Sequence, residues 1–208
     1  MTIHLPHIHR AFALLLALIV CACASSPPAR YYTLLPNAVA PAATDASYVI
    51  EVLPVDVPAQ VDVPQMVVRT GNGEVTPVDT RRWIAPLPSE LRSALSWQLT
   101  RELGVRDVYG FAKNTATPVY RVNLRVQRFD SAPGAYARIE TLWTVRAGSN
   151  DAAAPVCSSN ASVTVTPGYA ELAQGHQQAL AKIAGEIAAS IRAARASGKA
   201  PACSASAG

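Results

Sequence analysis

Histidine is scarce in this chain of 208 residues. Three of the four crowd the N-terminus at His4, His7 and His9, and only His176 lies deeper in the sequence. A Ser-His-acid triad would have to use that one imidazole, and no Gly-x-Ser-x-Gly turn surrounds any serine. The segment Gly71-Asn72-Gly73 has neither the length nor the lysine of a phosphate loop. No cluster of histidine and cysteine offers ligands to a metal, so neither a metal nor a cofactor is expected. No Lys/Arg run exceeds the pair Arg81-Arg82, which argues against nucleic acid as a partner. Nothing singles out a carboxylate pair for glycoside chemistry. Together these absences point away from an enzyme.

A membrane-spanning stretch is missing too. The longest apolar run, Ala11 to Val20, is half the roughly 20 residues that a transmembrane helix needs. It follows a weakly basic start ending in Arg10 and closes on Val20-Cys21-Ala22-Cys23-Ala24-Ser25. Charge, a short apolar stretch and small residues at the cut are the layout of a secretory signal, so residues 1–22 read as a signal peptide. A cysteine behind a small residue resembles the bacterial lipoprotein processing site. Cys23, preceded by Ala22, fits that site; Cys21, preceded by Val20, fits it poorly. Cys23 is therefore read as the lipidation site and first residue of the mature chain, against the plainer alternative of a secreted protein cut nearby. The 186 residues that remain, with 17 basic and 14 acidic side chains, suffice for one domain with a real core.

Export also frames the remaining cysteines. Cys157 and Cys203 would meet an oxidising space, where a disulfide between them competes with a reading of one buried thiol and one tail thiol. Such a bridge would close a loop of about 47 residues and contribute at most about 4 kcal/mol on the chain-entropy model.

Along the chain, residues 23–47 read as a lipidated tether rich in Pro, Ala and Ser, except that Arg30-Tyr31-Tyr32-Thr33-Leu34-Leu35 is too apolar to stay wet and should dock on the domain. Residues 48–194 form that domain, and residues 195–208 a flexible tail, pinned at Cys203 if the bridge forms. Tyr48 to Val55 is nearly all β-branched or apolar and reads as a central strand covered on both faces. Met66 to Arg69 reads as a short strand, Thr70 to Glu74 as a hairpin turn, and Val105 to Phe111 as a short edge strand.

Leu87 to Leu103 carries Leu91, Ala94, Leu95, Leu99 and Leu103 on one helical stripe, with Gly104 as its stop. Three runs near 120–127, 138–146 and 160–166 alternate with period two, which predicts an antiparallel meander with one wet face. A long last helix places Tyr169, Leu172, His176, Leu180, Ile183, Ile187 and Ile191 on one stripe. A lone histidine there reads as a packed core residue before a base or ligand. The expected fold is α/β: a single domain whose mixed sheet of about five strands, meander included, is packed by two main helices.

Arg81-Arg82-Trp83-Ile84-Ala85-Pro86-Leu87 is the most distinctive local segment, read as a turn into the first helix. Arg82 and Trp83 are candidate interface residues, since both types are enriched in binding hot spots. The competing reading has Trp83 covering the helix start. Arg121, Arg125 and Arg146 on the wet sheet face are either solvated partners of Glu140 or a basic contact surface.

Several of these segments, in order, resemble the ABC-type transport auxiliary lipoprotein component family, the PqiC-type (paraquat-inducible protein C) lipoproteins. They are Cys23 followed by Arg30-Tyr31-Tyr32-Thr33-Leu34; Val52 to Pro58; Pro64-Gln65-Met66-Val67-Val68-Arg69; Arg82 to Leu87; and Gly168-Tyr169-Ala170-Glu171-Leu172 before an Ala-rich helix. The resemblance implies a mixed α/β lipoprotein in the outer membrane, facing the periplasm and assembled into homo-oligomeric rings. It would be a non-enzymatic docking subunit for an MCE-domain protein that conducts lipids between the membranes. The alternatives are an envelope lipoprotein without a transport role and, less well supported, a periplasmic hydrolase or small-ligand binder. The Cys157/Cys203 pair is not part of the resemblance.

Overall fold

Leu87–Leu103 is a helix because proline opens it and glycine closes it. Pro88 stands within the first turn, where its missing N–H is no loss, and Gly104 takes a left-handed φ of 67° while its N–H bonds to the carbonyl of Thr100. We call it α1. The computed structural model describes residues 27–39, 42–45, 47–112, 117–148 and 154–203. In chain order the other elements are strands β1 (Arg30–Tyr32), β2 (Val49–Val52), β3 (Gln65–Arg69), β4 (Val75–Trp83), β5 (Val119–Ala132), β6 (Tyr136–Ala147) and β7 (Cys157–Thr164), and helix α2 (Tyr169–Ser197).

The fold is mixed α/β with two helices, and its strands divide between two sheets rather than forming one sheet of about five. A four-stranded sheet has the order β2-β5-β6-β7, and a three-stranded sheet the order β1-β4-β3. The meander β5-β6-β7 is antiparallel throughout; β2 joins β5 in parallel, and β1 joins β4 in parallel. Alternation sorts the faces as expected. Tyr120, Val122, Leu124 and Val126 turn inward with Ile139, Trp143 and Val145, and a bulge between Val126 and Arg128 resets the phase so that Phe129 is also inside. Both helices pack on this inner face, α2 over β6 and β7 and α1 beside it against β2. Gly175 lets helix and sheet approach closely: an added Cβ there would lie 2.9 Å from that of Ala137 and collide with Val165.

β2 lies at the edge of its sheet, not at the centre. Ile50, Glu51 and Val52 are still buried, because the loop after α1 covers the open side: Ile50 N–H donates to the carbonyl of Arg106, and Val108 N–H to that of Ile50. Within 105–111 this leaves one isolated bridge at Asp107, where an edge strand was expected.

The helices run side by side in the same direction. Their N-terminal halves meet the segment after β1, through Glu90 and Gln177, and their C-terminal ends meet each other, through Glu102 and Arg192. This gives the domain two ends. The near end holds β1, β3, β4 and the last residues of β5; the far end holds Tyr48, Val119, Ala147 and the C-terminal turns of both helices.

Candidate functional site

Leu34 is fully buried, and its position organises the near end. β1 pairs Arg30, Tyr31 and Tyr32 with Arg81, Arg82 and Trp83, so the N-terminal segment docks as a strand. Beyond it, the buried carboxylate of Glu90 accepts from both the Thr33 hydroxyl and the Leu34 N–H, each at 2.7 Å. The side-chain amide of Gln177 donates to the carbonyls of Thr33 at 3.0 Å and Leu35 at 3.2 Å. A ladder, a buried leucine and two polar clamps thus fasten the segment that leads back toward Cys23. Cys23 and residues 1–22 lie outside the described residues. Glu90 and Gln177 had no place in the sequence reading. Glu90 did carry a signal, as a carboxylate among the apolar positions of α1, where Leu87, Leu91 and Ala94 are all buried.

The structure places Arg82 and Trp83 at the end of strand β4, not in a turn. Trp83 is 4% exposed and offers no surface to a partner. Its ring meets Phe129 edge-on at 5.9 Å and His176 at 6.4 Å, so it packs in the core between β5 and α2. Arg82 is half-buried, its Nε–H donating to the carbonyl of Asp79. Arg81 lies over the ring of Tyr169 at 5.1 Å.

His176 is fully buried and stacked on Phe129, with centroids 3.9 Å apart. Burial pushes its pKa down to about 3, against a weaker upward pull from the charge of Asp130. The ring is therefore neutral at physiological pH, with Nε2 2.8 Å from the Ser131 hydroxyl and Nδ1 without a hydrogen-bond partner among the described residues. Among those residues no group of three or more His, Cys, Asp or Glu side chains could hold a metal ion, and no helix is long and apolar enough to cross a membrane.

At the far end Cys157 and Cys203 are joined by a disulfide with Cα atoms 5.3 Å apart. The segment after α2 turns back to reach it, with Pro201 buried and Ser190 Oγ donating to the carbonyl of Ala202. Beneath the bridge, Trp143 Nε1–H donates to Ser159 Oγ at 2.8 Å, and that hydroxyl donates to Glu186.

The wet face of the large sheet does not pair as the sequence suggested. Glu140 is met by Arg128, while Arg121 pairs with Glu51 at 2.8 Å and Arg125 with Asp56 at 3.4 Å. Arg146 makes no ion pair among the described residues, so a modest basic excess stays on this face.

A family model described as ABC-type transport auxiliary lipoprotein component matches residues 32–188. No curated protein matches the chain. Among solved structures, one of an uncharacterized protein superposes with a TM-score of 0.63 at 19% identity, covering 79% of this chain and 99% of its own. A protein of Xanthomonas campestris assigned to the family DUF330 superposes with a TM-score of 0.59 at 20% identity, covering 84% of this chain and 99% of its own. At these identities the likeness is one of fold.

Proposed function

The chain belongs to the ABC-type transport auxiliary lipoprotein component family, and from that premise we propose that it is the periplasm-facing docking subunit of an MCE-type intermembrane lipid transport system. In this reading acyl chains on Cys23 hold it in the outer membrane, and Ala24 behind the cysteine, in place of a retaining aspartate, supports that placement. Copies assemble into a homo-oligomeric ring that receives the MCE-domain protein. The subunit's part is positional, and it catalyses no reaction. The observation that carries the reading is the extent of the family match: residues 32–188 run from β1 through both sheets into the last turns of α2, so the whole body of the domain is of this kind.

The test is affinity capture of the full protein extracted from membranes with mild detergent, with co-purifying proteins identified by mass spectrometry. Recovery of an MCE-domain protein, lost when the ring is dissociated, is the expected result. A stable protein that captures no MCE component, from cells whose lipid transport is unchanged by its deletion, would favour an envelope lipoprotein without a transport role.

A further inference from the structure

Two large apolar side chains stand in water at the near end. Tyr31 is 56% exposed and Ile84 is 61% exposed. Strand alternation explains why. Tyr32 and Trp83 are register partners that turn toward the core, so their neighbours Tyr31 and Ile84 turn away from it. The Ile84 N–H donates to the carbonyl of Tyr32 at 2.8 Å, which holds the two outward residues on one rigid patch. The patch continues into an open cleft of about 340 Å³ lined by Val63, Pro64, Ala85 and Pro86, with Asp62 at its margin. Leu35, 39% exposed, follows the clamped turn beside it. Arg30 is exposed at the start of β1, and Arg82 is half-exposed opposite Tyr31.

We propose that this surface rests on the headgroup layer of the phospholipid bilayer that holds the anchor. The proposal depends on acylation at Cys23, the reading given above. Arg30 lies seven residue steps after Cys23, and fully extended these reach at most about 25 Å. The start of β1 therefore never leaves the neighbourhood of the membrane. The near end is also where an aromatic, an isoleucine and a leucine are exposed beside Arg82, with Arg30 exposed at the start of β1. Aromatic and aliphatic side chains backed by cations are the residue set that settles at a lipid–water boundary, the rings at headgroup level and the guanidinium groups on anionic phosphates. The contact would hold the domain at a fixed tilt, so that copies in one bilayer present the same face to each other and to the periplasm. The apolar Val156, 65% exposed, is the natural contrast. It adjoins Cys157, whose register partner Trp143 lies seven residue steps along β6 from the near-end residue Tyr136, roughly 23 Å along the sheet.

Because Cys157 and Cys203 are joined, Cys21 leaves with the leader and Cys23 is acylated, an Ile84→Cys substitution introduces the one reactive thiol of the mature protein. The full acylated protein, labelled there with an environment-sensitive fluorophore, is reconstituted into vesicles of phosphatidylethanolamine and phosphatidylglycerol. Expected are a blue-shifted emission and quenching of about twofold by lipids spin-labelled near the headgroup, with a Val156→Cys label unaffected. Tyr31→Cys gives a second reporting position should Ile84→Cys fold poorly. A label open to aqueous iodide and untouched by lipid quencher, on protein whose acylation is confirmed by mass, would overturn the proposal and leave the anchor standing. A blue shift without lipid quenching that fades when unlabelled protein is added would overturn it in favour of a second copy as the occupant. An unacylated chain would overturn the anchor and the proposal together.

Discussion

At the near end the chain is held without a covalent tie: three ladder pairs between β1 and β4, a buried leucine, and the clamps from Glu90 and Gln177. At the far end the C-terminal segment is held by the Cys157–Cys203 bond and little else, since of residues 198–203 only Pro201 is buried. The difference follows from what each segment can bury. Leu34 is fully buried and Tyr32 partly so, and at roughly 1.5–3 kcal/mol for a fully buried side chain they add to the ladder and the clamps in offsetting the cost of ordering a short strand. Gly198-Lys199-Ala200 brings almost no apolar area, and a cross-link that restricts the unfolded chain does the work instead. On the proposed anchoring at Cys23, the near end must also resist a pull, because any force on the acyl chains would enter the fold through β1.

Perturbations should separate the two ends, the largest first. Trp83→Ala empties a core position shared by both sheets and α2, and should cost about 3–5 kcal/mol, seen as a sharply lower melting temperature. If the variant melts normally while assembly is lost, the buried placement of Trp83 is wrong and its interface role returns. Next, Cys203→Ser should cost about 2–4 kcal/mol in urea denaturation and speed hydrogen exchange at the C-terminal turns of α2. It should leave exchange at residues 30–35 unchanged; a uniform loss across both ends would deny their independence.

Acid comes third. His176 stays neutral in the folded state down to a pKa of about 3, whereas the unfolded chain takes up that proton near 6.5. The unfolded state binds more protons between these values, so stability is complete above 6.5 and falls as pH drops toward 3, by about 1.4 kcal/mol per unit at the steepest. Between pH 7 and 5 the wild type should lose about 2 kcal/mol more than His176→Gln, which cannot titrate. Equal losses would mean that the ring is not desolvated. The smallest effect is expected from Glu90→Ala, about 1–2 kcal/mol, from a buried N–H and hydroxyl left without their acceptor. Its signature is faster proteolysis within residues 30–39, with Glu90→Gln restoring much of the protection.

Much of the fold was legible where one face is apolar. The stripe of α1 between Pro88 and Gly104 fixed both of its ends, and the alternation of β5, β6 and β7 set the inner face through Val122, Leu124, Ile139 and Trp143. β4 escaped because Val75-Thr76-Pro77-Val78-Asp79-Thr80 is largely exposed, with a proline and a register shift that erase alternation. The position of β2 escaped for a different reason. A strand covered by a loop backbone has the same composition as one covered by a neighbouring strand, so the run Val49–Val52 carries no mark of its place at the sheet's edge. At the candidate site the docking of Arg30 to Leu35 followed from its hydrophobicity, whereas the Gln177 clamp joins residues 142 or more positions apart and leaves no trace in local pattern.

The contrast between a membrane-bound end and a free one hangs on a single residue, and one measurement addresses it. The mature protein is purified from membranes and its N-terminal peptide weighed. The account predicts a chain beginning at Cys23 and carrying acyl chains on that residue, with Cys23→Ser abolishing palmitate incorporation and Cys21→Ser leaving it intact. An unmodified N-terminus at any other residue, or palmitate that follows Cys21, would contradict it.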